Sequence, residues 1–201
     1  MEPDPCSRDR APPGFRGFTL LELAVAAVSV RGMTAWRSAD SRLQALYRVE
    51  KGLSRLAEEL RNGAAPSDLP FHGAKDEVGF AVAEGPTRLA EVRYRVVRDA
   101  AGGAAWVREW LPFPKTPQMP PEVTTLSGGV ALFSMQYGAV SDEDGQKRVR
   151  WLESWDDPQG GKAIPKIVRV HLEGADARGR AFTVTRDLWI PQGTWATVTG
   201  E

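Results

Sequence analysis

An apolar stretch that carries a single carboxylate lies close to the N-terminus of this chain. From Phe18 to Val30 the residues are almost all apolar, and Glu22 is the one charged residue among them. Arg16 and Gly17 come directly before the stretch. A carboxylate in a hydrocarbon-facing helix is costly, and such a residue usually has a partner and a function. The pattern therefore predicts an N-terminal helix in which Glu22 has a dedicated partner.

The residues around this carboxylate form a motif. The segment from Arg16 to Leu23 reads RGFTLLEL and resembles the processing site of type IV prepilins and of the pseudopilins of type II secretion systems. In that family a basic leader ends in Gly, the prepilin peptidase cuts the bond after it, and the new terminal Phe is methylated on its amine. The resemblance implies cleavage after Gly17 and an N-methylphenylalanine at Phe18. It also implies that Glu22, the fifth mature residue, pairs with the terminal amine of the next subunit.

A chance glutamate in an ordinary signal or core helix is the alternative interpretation. An ordinary secretory signal has its apolar region before the cleavage site. Here the apolar region follows Gly17, so the mature protein would keep it, and residues 1–17 form the leader. The one cysteine, Cys6, lies in this leader. Its loss on processing would leave a mature chain without disulfides or thiolate chemistry.

The apolar run is short for a membrane span. Its thirteen residues make roughly 20 Å of helix at about 1.5 Å per residue, whereas a bilayer core is about 30 Å thick. Arg31 and Gly32 interrupt the run, and Trp36 follows. The side chain of Arg31 can extend to the membrane–water interface, and Trp36 suits the level of the lipid headgroups. The resemblance implies a single-pass inner-membrane protein with its globular domain in the periplasm, and the short run leaves open whether this anchor is stable.

After Trp36 the sequence becomes amphipathic. Apolar residues recur every three or four positions, as on one face of a helix, at Leu43, Leu46, Val49, Leu53, Leu56 and Leu60. Asn62 and Gly63 are typical of a helix end. The pattern predicts one long helix from Phe18 to Arg61, whose second half packs against the rest of the chain through this stripe. The chain is therefore divided into a leader (1–17), an N-terminal helix (18–62) and a β-rich globular domain (63–201).

Beyond Gly63, short alternating runs separated by turns replace the helical periodicity. The predicted strands are a hairpin within residues 92–111 and runs at 130–137, 147–152, 168–172 and 182–190. Prolines between positions 112 and 121 indicate an irregular connection. A long helix followed by antiparallel strands is an α+β arrangement, and it is also the layout of pilins. The predicted fold is therefore α+β and pilin-like, with a long N-terminal helix packed on antiparallel β-sheet.

The C-terminal region indicates which members of this family the chain resembles most. A strand, an acidic turn, two tryptophans and an alternating strand follow one another in a pattern that is similar to the J-type minor pseudopilin of type II secretion. These elements are Phe133–Tyr137, Asp142–Gly145, Trp151, Trp155, Ile164–Val170 and a last run Phe182–Pro191. The resemblance implies a tip complex with the I- and K-type minor subunits. That complex starts assembly of the major pseudopilin, and its J subunit performs no catalysis.

The charged residues, the histidines and the sequence motifs indicate neither an enzyme nor a metal site. Lys and Arg together number 26, as do Asp and Glu, and this balance argues against a nucleic-acid partner. His72 and His171 are far apart in the sequence, and no cofactor motif is recognisable, so we expect no metal and no cofactor. The acidic run at Asp142 is interpreted as a hairpin turn rather than a calcium loop.

The tryptophans are the remaining candidates for a binding surface. Trp151 and Trp155 lie four residues apart, so both face the same side if their strand stays regular. Aromatic side chains dominate cores as well as interfaces. Core packing is the default interpretation for this pair, and an interface with another subunit or with a secreted client is the alternative.

Two other functions stay open. A minor pilin of a type IV pilus or DNA-uptake system shares the processing motif, and neighbouring genes would discriminate between the two systems. A soluble β-sandwich binding module, for instance for carbohydrate, is the rival from another class, and exposed tryptophans would favour it. An enzyme is the least favoured interpretation.

Overall fold

The computed structural model describes residues 20–66, 68–85, 88–114, 119–143, 146–155 and 163–198. The chain divides into two compact units, Met1–Ala39 and Asp40–Glu201. Among the described residues the regular structure consists of one helix and eleven strands. All the strands and the core described below belong to the second unit.

The helix α1 comprises Leu20–Arg61. Ala, Leu, Arg and Glu, which have high helix propensity, make up most of it. It ends at Arg61, as the sequence predicts, and a basic residue in the last turn suits the negative end of the helix dipole. The side chain of Gln192 satisfies free carbonyl oxygens at this end. Its Nε2 donates to the carbonyl of Leu60, at 2.8 Å, and to that of Arg61.

The first sheet, sheet A, has six strands: β1 Gly63–Ala64, β2 His72–Gly73, β3 Glu77–Glu84, β4 Arg88–Arg98, β5 Ala104–Phe113 and β6 Glu122–Gly128. Their order is β1-β3-β4-β5-β6, with β2 paired to β3, and all of these pairs are antiparallel. The predicted hairpin is confirmed as β4 and β5. Asp99 stabilises its turn, because Oδ1 accepts hydrogen bonds from the backbone N–H groups of Ala101 and Gly103.

The second sheet, sheet B, has five strands: β7 Val130–Glu143, β8 Gln146–Leu152, β9 Ile167–Ala175, β10 Ala181–Trp189 and β11 Thr197–Val198. Their order is β10-β9-β7-β11, and β8 also pairs with β7. The pairs are antiparallel except for the short β11, which is parallel to β7. The strands predicted at 130–137, 147–152, 168–172 and 182–190 are confirmed as β7, β8, β9 and β10.

One core joins the helix and both sheets. The helix contributes four buried residues of the predicted stripe, Val49, Leu53, Leu56 and Leu60. Leu46 is only partly buried, and Leu43 is exposed. The stripe prediction is therefore confirmed over its last four members and wrong at its first.

A row of aromatic rings runs through this core. Phe71, Phe80, Tyr94, Trp106 and Phe133 follow one another with ring centroids 5.7 to 6.3 Å apart. Trp106 lies on β5 and Phe133 on β7, so their contact at 5.7 Å connects the two sheets. Aromatic pairs at such distances add about 0.5–1.5 kcal/mol each beyond the burial of their area.

The predicted fold class, α+β with a long pilin-like N-terminal helix packed on antiparallel sheet, is wrong. The described chain is mainly β, and its two sheets provide most of the buried side chains. Among the described helical side chains, the buried ones are confined to about three turns between Val49 and Leu60. The physical reason is that two sheets with alternating apolar residues bury each other's inner faces, so only a short part of a helix is needed to complete the core.

Candidate functional site

The motif from Arg16 to Leu23 lies only partly within the described residues. Gly17 and Phe18 lie outside the described residues. Glu22 lies in α1, which begins at Leu20, so its backbone is helical. Cleavage after Gly17 and the assembly role of Glu22 stay predictions.

The first part of α1 carries exposed apolar side chains. Val28 and Trp36 are both exposed, Trp36 to 77 %. Such residues offer area for packing against a second helix or lipid. In the part of the chain that the structure describes, no helix combines the length and the apolar character that crossing a bilayer requires.

Trp155 is part of the core. It is 5 % exposed, its Nε1 donates to the carbonyl oxygen of Ala163 at 2.9 Å, and its ring contacts that of Tyr137. Its backbone forms an isolated bridge with Gly73, where an added Cβ would lie 2.9 Å from Cβ of Trp155. Because Gly73 has no side chain, Trp155 can pack closely against it in the core.

Trp151 lies on the other side of sheet B. The guanidinium carbon of Arg169 lies 4.2 Å from the centroid of its ring, and the side chain is half-buried. The strand does not stay regular between Trp151 and Trp155, because β8 ends at Leu152 and the chain bends before Trp155, so the condition for a shared side is not met. The interface role of the pair stays a prediction, and Trp151 is the member with an accessible ring.

Three tryptophans form what we call the outer tryptophan face, defined by Trp151, Trp189 and Trp195. Trp189 and Trp195 pack edge to face with centroids 5.9 Å apart, and they are 49 % and 38 % exposed. The ammonium group of Lys166 lies 5.3 Å from the Trp189 centroid. Lys166 lies beside the ring of Trp189, and Arg169 lies beside that of Trp151. This face therefore combines aromatic surface with basic groups.

The polar neighbours of this face are fixed in place. Arg169 donates to both carboxylate oxygens of Asp187, at 2.7 and 2.9 Å. These hydrogen bonds hold the pKa of Asp187 below its ordinary value.

At Gly138 an added Cβ would lie 2.3 Å from Cγ2 of Ile167, so glycine allows the close approach of these neighbouring strands.

A polar groove of about 240 Å³ adjoins Arg169 on the same face of sheet B. Its walls include Ser134, Gln136 and His171. The His171 ring contacts Thr185 Oγ1 from Nδ1, at 2.9 Å, and Glu173 Oε1 from Nε2, at 2.8 Å. Among the described residues no group of three or more His, Cys, Asp and Glu side chains is arranged to hold a metal ion.

Two buried polar clusters, one at each end of the packed part of α1, were not foreseen from the sequence. In the first, Asp176 accepts hydrogen bonds from Arg180 Nη2, at 2.6 Å, and from Ser41 Oγ, at 3.2 Å. The hydrogen bonds from Arg180, above all, lower the pKa of Asp176 against the opposing effect of burial. This cluster connects the helix to the turn between β9 and β10.

The second cluster centres on Glu59. Tyr94 donates its hydroxyl to Oε2 at 2.6 Å, and Nε of Arg108 lies 3.0 Å from both carboxylate oxygens. Arg55 donates from Nε to Oε1 at 3.1 Å. Burial and the neighbouring carboxylate raise the pKa of Tyr94. No sequence signal pairs Glu59 with Arg108, because the two are 49 residues apart.

Comparison with models of protein families found no match to this chain, and comparison with curated proteins found none.

Proposed function

We propose that this chain is a minor pseudopilin of a type II secretion system, most like its J subunit. The observation that carries the proposal is the register of the motif from Arg16 to Leu23, in which Gly17, Phe18 and Glu22 occupy the three positions that processing and assembly require. The C-terminal pattern of strand, acidic turn and paired tryptophans gives further support.

The proposed mechanism begins with the prepilin peptidase. It cuts after Gly17 at the inner membrane and methylates Phe18, and the β-rich domain then lies in the periplasm. The new terminal amine is positively charged, and the carboxylate of Glu22 of a neighbouring subunit pairs with it. In an apolar environment each charge alone is costly, so the pair fixes the register between subunits. Helical backbone at Glu22 is consistent with this role.

The partners follow from the same proposal. The chain joins the I- and K-type minor subunits in a tip complex, and the major pseudopilin adds below it. Exposed apolar residues of α1, Val28 and Trp36, supply packing area for these contacts. The protein performs no catalysis of its own in this account.

The leader contains a matched control for the cleavage test. Gly14-Phe15 repeats the dipeptide Gly17-Phe18 three residues earlier, but a cut after Gly14 would place Glu22 eighth instead of fifth. Gly17→Leu should therefore make precursor accumulate in cells that contain the peptidase, whereas Gly14→Leu should be processed normally. Immunoblots of precursor and mature chain provide the measurement. Normal maturation of Gly17→Leu would contradict the proposed cut.

A minor pilin of a type IV pilus or DNA-uptake system is the neighbouring alternative, and the genes next to this one discriminate between them. A β-sandwich binding module is the candidate from another class. The half-exposed rings of Trp189 and Trp195 favour it, because sugar rings stack on exposed aromatic faces. An intact mass that places the mature N-terminus elsewhere than Phe18, together with saccharide binding lost on Trp189→Ala, would select that candidate.

A further inference from the structure

A cavity of about 290 Å³ lies between the last turns of α1 and the inner side of sheet A. Arg108, Trp110 and Val82 line its sheet side, and Glu58, Asn62 and Glu84 line its mouth. The volume is close to the lower end of the range for small-ligand sites, which is roughly 300–1,000 Å³. It suits a molecule of amino-acid size.

The carboxylate of Glu59 inside this cavity is already saturated. It accepts from the Tyr94 hydroxyl at 2.6 Å, from Arg55 Nε at 3.1 Å and from Arg108 Nε at 3.0 Å. These contacts hold the Arg108 side chain in one place. The side chain is also largely buried, at 8 % exposed. Glu59 thus acts as the support of Arg108 and is not available to a ligand.

Arg108 keeps most of its hydrogen-bonding capacity. A guanidinium has five N–H donors, and in Arg108 only Nε–H has an acceptor among the described residues. Arg108 lines the cavity, and its terminal nitrogens are not among the fully buried side-chain atoms that lack a hydrogen-bond partner, so part of the guanidinium edge stays accessible. A pre-positioned, largely buried guanidinium edge matches a planar carboxylate, which accepts two parallel hydrogen bonds.

The mouth of the cavity has the opposite charge. Glu58 and Glu84 are both exposed, and neither carboxylate has a cation or hydrogen-bond partner among the described side chains. Arg55 also lines the cavity, but it already pairs with Glu59 at 3.1 Å. The two unpaired carboxylates therefore disfavour a simple anion and favour a ligand that also carries a positive group. Trp110 and Val82 supply an apolar wall between the two charged regions.

We propose that this cavity binds a carboxylate that carries a basic side chain, as in free arginine or in the C-terminal residue of a peptide that ends in arginine. The ligand carboxylate pairs with the terminal nitrogens of Arg108, its aliphatic stem lies on Trp110, and its cation lies between Glu58 and Glu84. This inference goes beyond the proposed function and does not depend on it, because processing at Gly17 involves none of these residues.

Calorimetric titration of the full chain with L-arginine tests the site. Argininamide lacks the carboxylate, and L-norvaline keeps the stem but lacks the guanidinium, so each should bind at least tenfold more weakly than L-arginine. N-acetyl-alanyl-arginine distinguishes the two sources. Binding at least as tight as that of arginine indicates a peptide terminus, and much weaker binding indicates the free amino acid. Failure of both L-arginine and the peptide to bind would overturn the proposal.

Two variants test separately the end of the site that binds the ligand's cation and the end that binds its carboxylate. Glu58→Gln combined with Glu84→Gln changes only exposed side chains and should weaken L-arginine binding about tenfold while leaving the weak binding of norvaline unchanged. Arg108→Lys keeps a cation beside Glu59 and should weaken both ligands. Glu122→Gln, an exposed substitution outside the cavity, is the matched control and should have no effect. Full retention of arginine binding by both the Glu58/Glu84 double variant and the Arg108 variant would contradict the assigned site.

Discussion

Gly52 lies directly against the indole ring of Trp106. A Cβ added to Gly52 would come within 2.5 Å of Cζ3 of Trp106, closer than non-bonded carbon atoms approach. Glycine in a helix interior costs about 0.5–1 kcal/mol relative to alanine. Here that cost is offset, because the missing side chain lets the helix lie on the aromatic row of the core.

Gly52→Ala should therefore destabilise the fold by about 1–3 kcal/mol, the usual range for overpacking, despite the better helix propensity of alanine. Urea unfolding measures the difference, with Ser54→Ala on the exposed side of the same helix as control. In a Trp106→Leu background the penalty should largely disappear. A Gly52→Ala protein as stable as the wild type would contradict this account of the contact.

Asp176 should make stability depend on acid pH. Its pKa is lowered in the folded state by the hydrogen bonds from Arg180, so the unfolded chain takes up a proton first, near the ordinary value of 3.8. The contribution of this carboxylate is therefore full above about pH 4 and is lost as the pH falls further. Asp176→Asn should lower stability at pH 7 and flatten the acid dependence. Unfolding at pH 7 and pH 3 tests this, and a variant with the wild-type acid dependence would refute it.

Tyr94 and Tyr137 should make stability depend on alkaline pH. Burial raises the pKa of both hydroxyls above the ordinary 10.0. A raised pKa means that the folded state keeps its protons while the unfolded chain loses them, so stability is full below about pH 10 and falls above it. Their tyrosinate absorbance should appear together with loss of the native circular dichroism. Ionisation of both near pH 10 with native structure intact would disprove their burial.

Glu22 should be needed for assembly but not for processing. Glu22→Val removes the partner of the neighbouring amine, so the mature chain should accumulate while incorporation into tip complexes falls at least tenfold. Glu22→Gln keeps the side-chain shape and should fail in the same way, because charge is the property required. Cross-linking to I- and K-type subunits measures incorporation. Normal incorporation of either variant would count against charge pairing.

Local pattern could be read from the sequence, whereas contacts between distant segments could not. Alternation predicted the four long strands of sheet B, and the three- to four-residue spacing predicted burial of Val49 through Leu60. The fold class failed because periodicity does not reveal how much of a helix reaches the core. The bend before Trp155 and the pairing of Glu59 with Arg108 depend on how separate strands meet, and no local pattern records that.

In the proposed function the mature chain begins at Phe18, and mass spectrometry of the protein isolated from its native cell identifies that terminus. This proposal predicts an N-terminal peptide that begins at Phe18 and carries one methyl group, which fragmentation locates on the α-amine. A chain that retains Met1–Gly17, or that begins at any other residue, would contradict it.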